Sequence, residues 1–313
     1  MTHEDNPPFT RPLRLGSRGS PLALVQAHMA ANALRAAHGW SEEAIDIVTV
    51  RTDGDRIQDR PLAEIGGKAL WTKELDRALA EGVIDFAVHS MKDVETIRPE
   101  EIVIAAMLPR ADVHDRLIGA ESIEALPKGA KVGTSSPRRA AQLRRLRPDI
   151  SIVLFRGNVA TRIARLEKGE ADATLLAAAG LIRLGETAIG KNIPLETMLP
   201  APSQGAVGIE TLASNSHILE LLNVIDDPDT SHCVRAERAM LLGLGAGCHS
   251  PVAAWARIDG EEILLSAEIL SSDGQENVSA QKRLARGDEA AAAAVGRDLL
   301  DRASPSLRAL FGA

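Results

Sequence analysis

From Leu13 onward, short apolar runs alternate with longer segments whose apolar residues recur at helical spacing, which predicts a β/α architecture. Leu13 to Gly16 reads as a strand, Ser17-Arg18-Gly19-Ser20 as a small polar turn, and Pro21 opens an Ala/Leu-rich helix that runs to His38-Gly39. Serine at the N-cap, proline at the first helical position and glycine beyond the end mark such a helix. Serine satisfies an orphan amide, proline lacks one, and glycine accepts the left-handed conformation. Ile45 to Val50 alternates apolar and polar positions under β-branched enrichment and predicts a strand, while Ala69 to Ala80 is spaced as a helix. Phe86 to His89 and Ile102 to Leu108 are short apolar runs suited to buried strands.

The design repeats from about Ala111. Lys131-Val132-Gly133 meets Thr134-Ser135-Ser136, and Pro137 opens a helix to about Leu146. Ile150 to Phe155, Val159 to Glu167 and Ala173 to Ala177 continue as strand, helix and buried strand. After Pro200-Ala201-Pro202-Ser203, Ala206 to Glu210 is strand-like, and Ser216 to Val224 and Ser231 to Leu242 are helical. From Val252 to Leu284 the period shortens, with Asp259-Gly260 and Asp273-Gly274 as hairpin signals, and the Ala-rich helix Asp288 to Asp301 closes this small antiparallel meander. The pattern predicts two similar α/β lobes with mostly parallel, doubly wound sheets and a cleft between them, plus a smaller α+β C-terminal domain. The expected boundaries are 1–108 with 204–226, 109–203, and 227–313.

A length of 313 residues suits two or three such units. Three Trp, four Phe and no Tyr leave no stacking platform for single-stranded nucleic acid, and a net charge of -7 argues against a generic polyanion surface. Two cysteines, Cys233 and Cys248, make no disulfide framework, so a reducing, cytoplasmic setting is expected. Met1 to Pro8 does not read as a secretory signal, and no window approaches the roughly 18 residues of unbroken apolar sequence that a spanning helix needs. No nucleic-acid or membrane partner is expected, nothing signals self-association beyond a monomer, and no Cys/His set has metal-ligand spacing.

Charge is distributed unevenly within this acidic chain. Thr134 to Arg165 holds eight arginines against one acid, Asp149. Arg144, Arg145 and Arg147 fall where a solvated helix face is expected. Arg138 and Arg139 lie in the first turn of a helix, where the macrodipole disfavours cations, and there a bound anion explains them better. Thr134, Ser135 and Ser136 add donors at the same place, and Arg18 with Ser20 repeats the arrangement in the first lobe. Arginine suits planar carboxylates, which it pairs bidentately. Lys92 and Asp93 follow a predicted strand at the carboxyl end, where open α/β sheets place ligands. They supply one anion-binding and one acid-base group, while His89 suits a core histidine equally well. Cys233 reads as buried on a helix, and Cys248 lies in the glycine-rich loop from Gly243.

Together these residues resemble the porphobilinogen deaminase (hydroxymethylbilane synthase) family from about Leu13 to Leu270. The matching motifs, in order, are Arg18 to Leu24; Gly66-Gly67-Lys68 through Lys73-Glu74-Leu75; His89 to Asp93; Gly133 to Arg139; Arg156 to Val159; Gln204 to Glu210; and Gly247-Cys248. The resemblance implies a bilobal fold like that of periplasmic binding proteins. It also implies a transferase of tetrapyrrole (haem) biosynthesis that joins four porphobilinogen units head to tail, releasing ammonia, to give hydroxymethylbilane. A dipyrromethane cofactor would be attached covalently through Cys248, by a thioether.

By the same resemblance Asp93 is the catalytic carboxylate, stabilising positive charge on pyrrole nitrogen as the chain grows. Lys92, Thr134, Ser135, Ser136, Arg138, Arg139, Arg156 and Asp55 fall at cofactor-binding positions. Arg18, Ser20, Arg162, Arg183, Lys68 and Gln204 fall at substrate-binding ones, and Gly66-Gly67 matches a mobile loop. This chain departs from the family pattern at Val94-Glu95-Thr96, where a proline usually follows the aspartate soon after. Ser203 stands where glycine is common, and Trp71 where phenylalanine is. The competing expectation is a bilobal carboxylate- or oxyanion-binding protein without catalysis, which leaves the third unit and Cys248 unexplained.

Overall fold

A computed structural model describes residues 11–50, 72–246 and 250–311. Asp55, Lys68, Trp71, Gly66-Gly67 and Cys248 lie outside the described residues. Two compact units divide the rest: 11–50, 72–110 and 206–231 form the first, and 111–205, 232–246 and 250–311 the second.

The first unit is built on a five-stranded sheet. Its strands are β1 (Leu13–Arg18), β2 (Ile45–Val50), β3 (Phe86–Ser90), β4 (Ile102–Met107) and a late return, Val207–Leu212, in the spatial order β2-β1-β3-return-β4. β1 pairs parallel with β2 and β3, and the return strand runs antiparallel between β3 and β4. Four strands therefore point one way and one against. Helix Pro21–His38 begins as its sequence predicts: the Ser20 side chain accepts from Ala23 N, Pro21 opens the first turn, and Gly39 ends it at φ 69°. That helix buries Ala27, Ala30, Ala31 and Leu34 on one face of the sheet with Ile218 and Leu222 of helix Ser216–Asn223. Helix Lys73–Ala80 lays Leu75, Ala78 and Leu79 on the other face, so the sheet is covered on both sides. Phe86 to His89 are accordingly all buried.

The second unit contains the same plan. β5 (Asp115–Ile118), β6 (Lys131–Gly133), β7 (Ser151–Val153), β8 (Ala173–Ala177) and β9 (Lys191–Asn192) take the order β7-β6-β8-β5-β9, with β6 parallel to β7 and β8, and β5 antiparallel to both its neighbours. Helix Pro137–Leu146 follows β6 under a Ser136 cap that accepts from Arg139 N. With β10 now assigned to the return strand Val207–Leu212, an antiparallel meander of β11 (Val252–Asp259), β12 (Glu262–Leu270) and β13 (Asn277–Ala285) completes the unit. Its turns carry Gly260 and Gly274 at positive φ, as the Asp-Gly pairs predict. Helix Glu289–Arg302 closes its core with Val295 and Leu299 against Leu265, Ile269 and Met240. This meander and the second α/β sheet belong to the same unit, joined by Gln142 Nε2 to Glu268 Oε2 at 3.3 Å, Arg144 Nη1 to the Ser272 carbonyl at 2.7 Å, and Ala254 N to the Pro200 carbonyl at 3.0 Å.

The sequence pattern missed β5, β9 and helices Ala178–Arg183 and Pro305–Arg308. It also carried the β7 strand past Val153, where the described strand ends. Among the described residues, no helix is long and apolar enough to cross a membrane.

Candidate active site

Asp93 ends a single 3-10 turn, Met91–Asp93, directly after β3. Several contacts fix that turn. Met91 N donates to the Ala206 carbonyl at 3.1 Å, Val94 N to the Met91 carbonyl at 3.2 Å, and Gln26 Nε2 to Ser90 Oγ at 2.7 Å. The Met91 side chain is buried against Gly208, where any Cβ would collide with it, so the glycine on β10 is what lets the turn seat. Lys92 and Asp93 are half-buried. The Asp93 carboxylate takes no hydrogen bond or ion pair from the described residues. His89 is buried, its Nε2 3.2 Å from Glu210 Oε2, and so is engaged in the core. Arg18 ends β1 half-buried, beside the capping Ser20.

In the second unit the arginine-rich turn has an anion of its own. Arg138 Nη1 lies 2.8 Å from Asp115 Oδ2 and Arg139 Nη2 2.7 Å from Asp115 Oδ1. Arg138 Nη1 also donates to Gln142 Oε1 and to the Leu199 carbonyl, each at 2.9 Å, and Arg139 Nη1 to the Leu175 carbonyl at 2.9 Å. Gln204 Nε2 reaches Asp115 Oδ1 at 2.9 Å and the Val113 carbonyl at 2.8 Å. Burial would raise the Asp115 carboxyl, but the two guanidiniums outweigh it and hold it far below the usual carboxylate range. Burial works against the Arg138 charge and Asp115 works for it. A guanidinium starts above pKa ~12, so the pair stays ionised at neutral pH. Asp115, the first residue of β5, is thus the residue that sequence reasoning did not pick out, although two adjacent buried arginines demand a counter-charge.

The other expected residues of this stretch lie in the same unit. Thr134 is buried at the end of β6, with Oγ1 accepting from Ser136 N at 3.1 Å, and Ser135 is half-buried beside it. Arg156 is buried just before Gly157, and Arg162 Nε donates to the Gly157 carbonyl at 3.0 Å from helix Val159–Glu167. Arg183 ends helix Ala178–Arg183, after β8. One Nη2 bond to the Gly205 carbonyl at 2.7 Å holds it, no carboxylate pairs with it among the described residues, and burial pushes its pKa down to about 10. Its Nε, like those of Arg138 and Arg139, is buried without a hydrogen-bond partner. The expected solvated face is instead partly structural: Arg145 pairs with Glu268 at 3.3 Å, and Arg147 binds Asp149 and the carbonyls of Ile123 and Leu126. Cys233 is buried, as expected.

The model described as "Porphobilinogen deaminase, dipyromethane cofactor binding domain" matches residues 13–220, and that of the porphobilinogen deaminase C-terminal domain matches residues 231–304. This chain belongs to the porphobilinogen deaminase family. Among curated relatives, the porphobilinogen deaminase of Sphingopyxis alaskensis is 56% identical over 306 residues, covering 96% of both chains. That of Paracoccus denitrificans is 47% identical over 304 residues, again with 96% of each covered. Among solved structures, a periplasmic substrate-binding protein of an ABC transporter from Coxiella burnetii aligns with 70% of this chain and 94% of its own, at 15% identity and a TM-score of 0.42. As a porphobilinogen deaminase the protein is a transferase of tetrapyrrole biosynthesis. It polymerises porphobilinogen, four units head to tail with release of ammonia, to hydroxymethylbilane. A binding protein without catalysis is not favoured.

Proposed function

We propose that Asp93 is the catalytic carboxylate of this porphobilinogen deaminase, and that Cys248 holds dipyrromethane through a thioether. The observation that carries the first assignment is the half-buried Asp93 carboxylate, unengaged among the described residues, on a turn fixed from three sides. A carboxylate so held faces a pyrrole N–H with little reorganisation. It stabilises positive charge developing on that nitrogen and accepts a proton at Oδ as aromaticity returns. Dipyrromethane, when bound, supplies the pyrrole carbon from which the chain grows.

The chain's own donors suit the carboxylates of such a group. The buried Nε atoms of Arg138, Arg139 and Arg183 have no partner, and Arg183 has no internal carboxylate among the described residues. Arg138, Arg139, Arg156, Lys92, Thr134, Ser135, Ser136 and Asp55 are assigned to dipyrromethane. Arg18, Ser20, Arg162, Arg183, Lys68 and Gln204 are assigned to the incoming and growing chain. The α/β lobes are taken as 1–108 with 204–226 and as 109–203, the third domain as 227–313, and the protein as a cytoplasmic monomer. Only two cysteines in the chain support the reducing compartment.

The test compares the intact mass of the wild type with that of Cys248→Ser, and the turnover of Asp93→Asn with both. A mass excess of two linked pyrrole units in the wild type alone, with nearly complete loss of turnover in a cofactor-loaded Asp93→Asn, is expected. The same excess in Cys248→Ser removes the attachment site, and most activity retained in Asp93→Asn removes the catalytic one.

A further inference from the structure

The described residues contain a second buried charge cluster that the assignments above do not use. Arg98, with its side chain 8% exposed, has all five guanidinium N–H groups engaged. Nε and Nη2 form a fork on Glu210, at 2.9 Å to Oε1 and 2.8 Å to Oε2. Nη2 also meets Asp76 Oδ1 at 2.5 Å, and Nη1 donates to Thr72 Oγ1 at 3.1 Å and Glu95 Oε2 at 3.0 Å. Thr72 Oγ1 in turn donates to the same Glu95 oxygen at 2.8 Å. Glu210 lies on β10, beside β3, with His89 Nε2 3.2 Å from its Oε2. Asp76 lies in helix Lys73–Ala80, and Glu95 is two residues beyond Asp93.

This geometry decides how the chain leaves the Asp93 turn. The entry is fixed by β3, Met91 and Ser90; the exit would otherwise be an irregular segment, 94–99, in which Ile97 is 77% exposed. Val94 is buried, and Glu95 is tied through Arg98 to the sheet and to helix Lys73–Ala80 at once. A planar guanidinium can hold three carboxylates in set directions, whereas an ammonium is a point charge without a fork. We propose that Arg98 is a positioning residue for Asp93: its ion pairs with Glu95, Asp76 and Glu210 fix the exit of the turn and hence the place of the Asp93 carboxylate. The proposal rests on Asp93 acting as the catalytic carboxylate.

The experiment measures kcat and KM for porphobilinogen in cofactor-loaded Arg98→Lys, Asp93→Glu and the double variant, with loading checked by intact mass and folding by thermal melting. Misplacement of a reacting group by about an ångström costs up to about 100-fold in rate, so Arg98→Lys is expected to lower kcat about 10- to 100-fold with KM within about twofold. Because it acts through Asp93, the double variant is expected to lose little beyond Asp93→Glu alone. Glu95→Gln, which keeps shape and drops only one charge, is the variant to use if Arg98→Lys does not fold, and a smaller fall in kcat at constant KM is expected. Undiminished kcat in the folded, loaded variants overturns the proposal, as do losses that multiply in the double variant or that follow cofactor content. Should Asp93→Asn itself retain activity, the assignment of Asp93 fails, separately from anything Arg98 does.

Discussion

Asp115→Asn tests the most heavily buried charge arrangement of the second unit. The substitution keeps the volume and one acceptor oxygen but removes the carboxylate charge that pairs with two guanidiniums whose side chains are 4% and 6% exposed. Breaking a buried ion pair from one side costs about 3 to 5 kcal/mol, because the cation left behind is both desolvated and unpaired. Here two cations are left behind, so the upper part of that range applies, offset by the amide oxygen that Gln204 and Arg139 can still use. For a unit of this size each kcal/mol moves the melting temperature by about 2 to 4 °C, so a fall of roughly 6 to 20 °C is expected. The assay is calorimetry of the protein prepared without and with dipyrromethane. If Arg138 and Arg139 take cofactor carboxylates, the loaded form carries replacement anions and loses less than the bare form. A shift below about 2 °C in both preparations would refute the electrostatic argument. An equal large loss in both would keep Asp115 as a structural anchor and remove the two arginines from the cofactor site.

Ser203 sits at φ 64°, the left-handed region, immediately before Gln204, and its amide donates to the buried Glu237 Oε2 at 2.5 Å. Left-handed backbone costs a non-glycine residue about 1 to 2 kcal/mol, and glycine returns roughly half of that gain through its looser unfolded chain, so Ser203→Gly is expected to raise the melting temperature by a few degrees; a lower value contradicts the strain. Glu210 supplies a pH dependence. Burial alone would raise its carboxyl, but His89 and Arg98 hold it down to about 2, from an ordinary 4.5. A depressed carboxyl stabilises the fold above its unfolded pKa and loses that contribution as pH falls through the folded one, so the contribution of about 3 kcal/mol fades between roughly pH 4.5 and 2. Asp76, raised by burial, works in the opposite sense. Denaturant melts of wild type and Glu210→Gln should therefore converge as the pH drops through that window, and a gap that does not change with pH rejects the assignment.

Most of the scaffold was legible because each lobe announces itself through local chemistry. Ser20-Pro21 and Ser136-Pro137 each cap a helix after a short strand, and both caps accept the amide three residues on. β5, β9 and helix Ala178–Arg183 lack such signals, whereas helix Pro305–Arg308, also missed, carries the same Ser-Pro start on only four residues. β5 is four residues long and β9 two, and both are defined by pairing with strands far off in sequence, which periodicity does not register. Helix Ala178–Arg183 continues the apolar run of β8 without a turn residue between, so strand and helix merge into one hydrophobic stretch. For the site, strand-end placement led to Asp93 and helix-start charge to Arg138 and Arg139. The two buried charge clusters were not legible for a physical reason: Asp115 and Arg98 are ordinary charged residues in sequence, and only folding brings each against its counter-charges.

The arginines of the second unit, which the sequence divides into a solvated face and an anion-binding helix start, separate differently once their partners are known. Arg145 and Arg147 are tied into the framework through Glu268, Asp149 and backbone carbonyls, and Arg165 stacks over Phe155 while pairing with Glu170. Arg138 and Arg139 share the Asp115 carboxylate at the capped start of a helix. Among the described residues, Arg183 has a single backbone acceptor. A bare cluster of buried cations would repel itself and collapse onto the nearest water or neutralise, whereas one shared carboxylate keeps both guanidiniums ionised and held in place before any ligand arrives. Under the proposed roles, Asp115 therefore lowers the ordering cost of carboxylate binding at Arg138 and Arg139, while Arg183 binds with the larger electrostatic gain because no internal anion among the described residues competes with the ligand there. Loss of Arg183 should then weaken binding without leaving a buried charge behind, and loss of Asp115 should leave two.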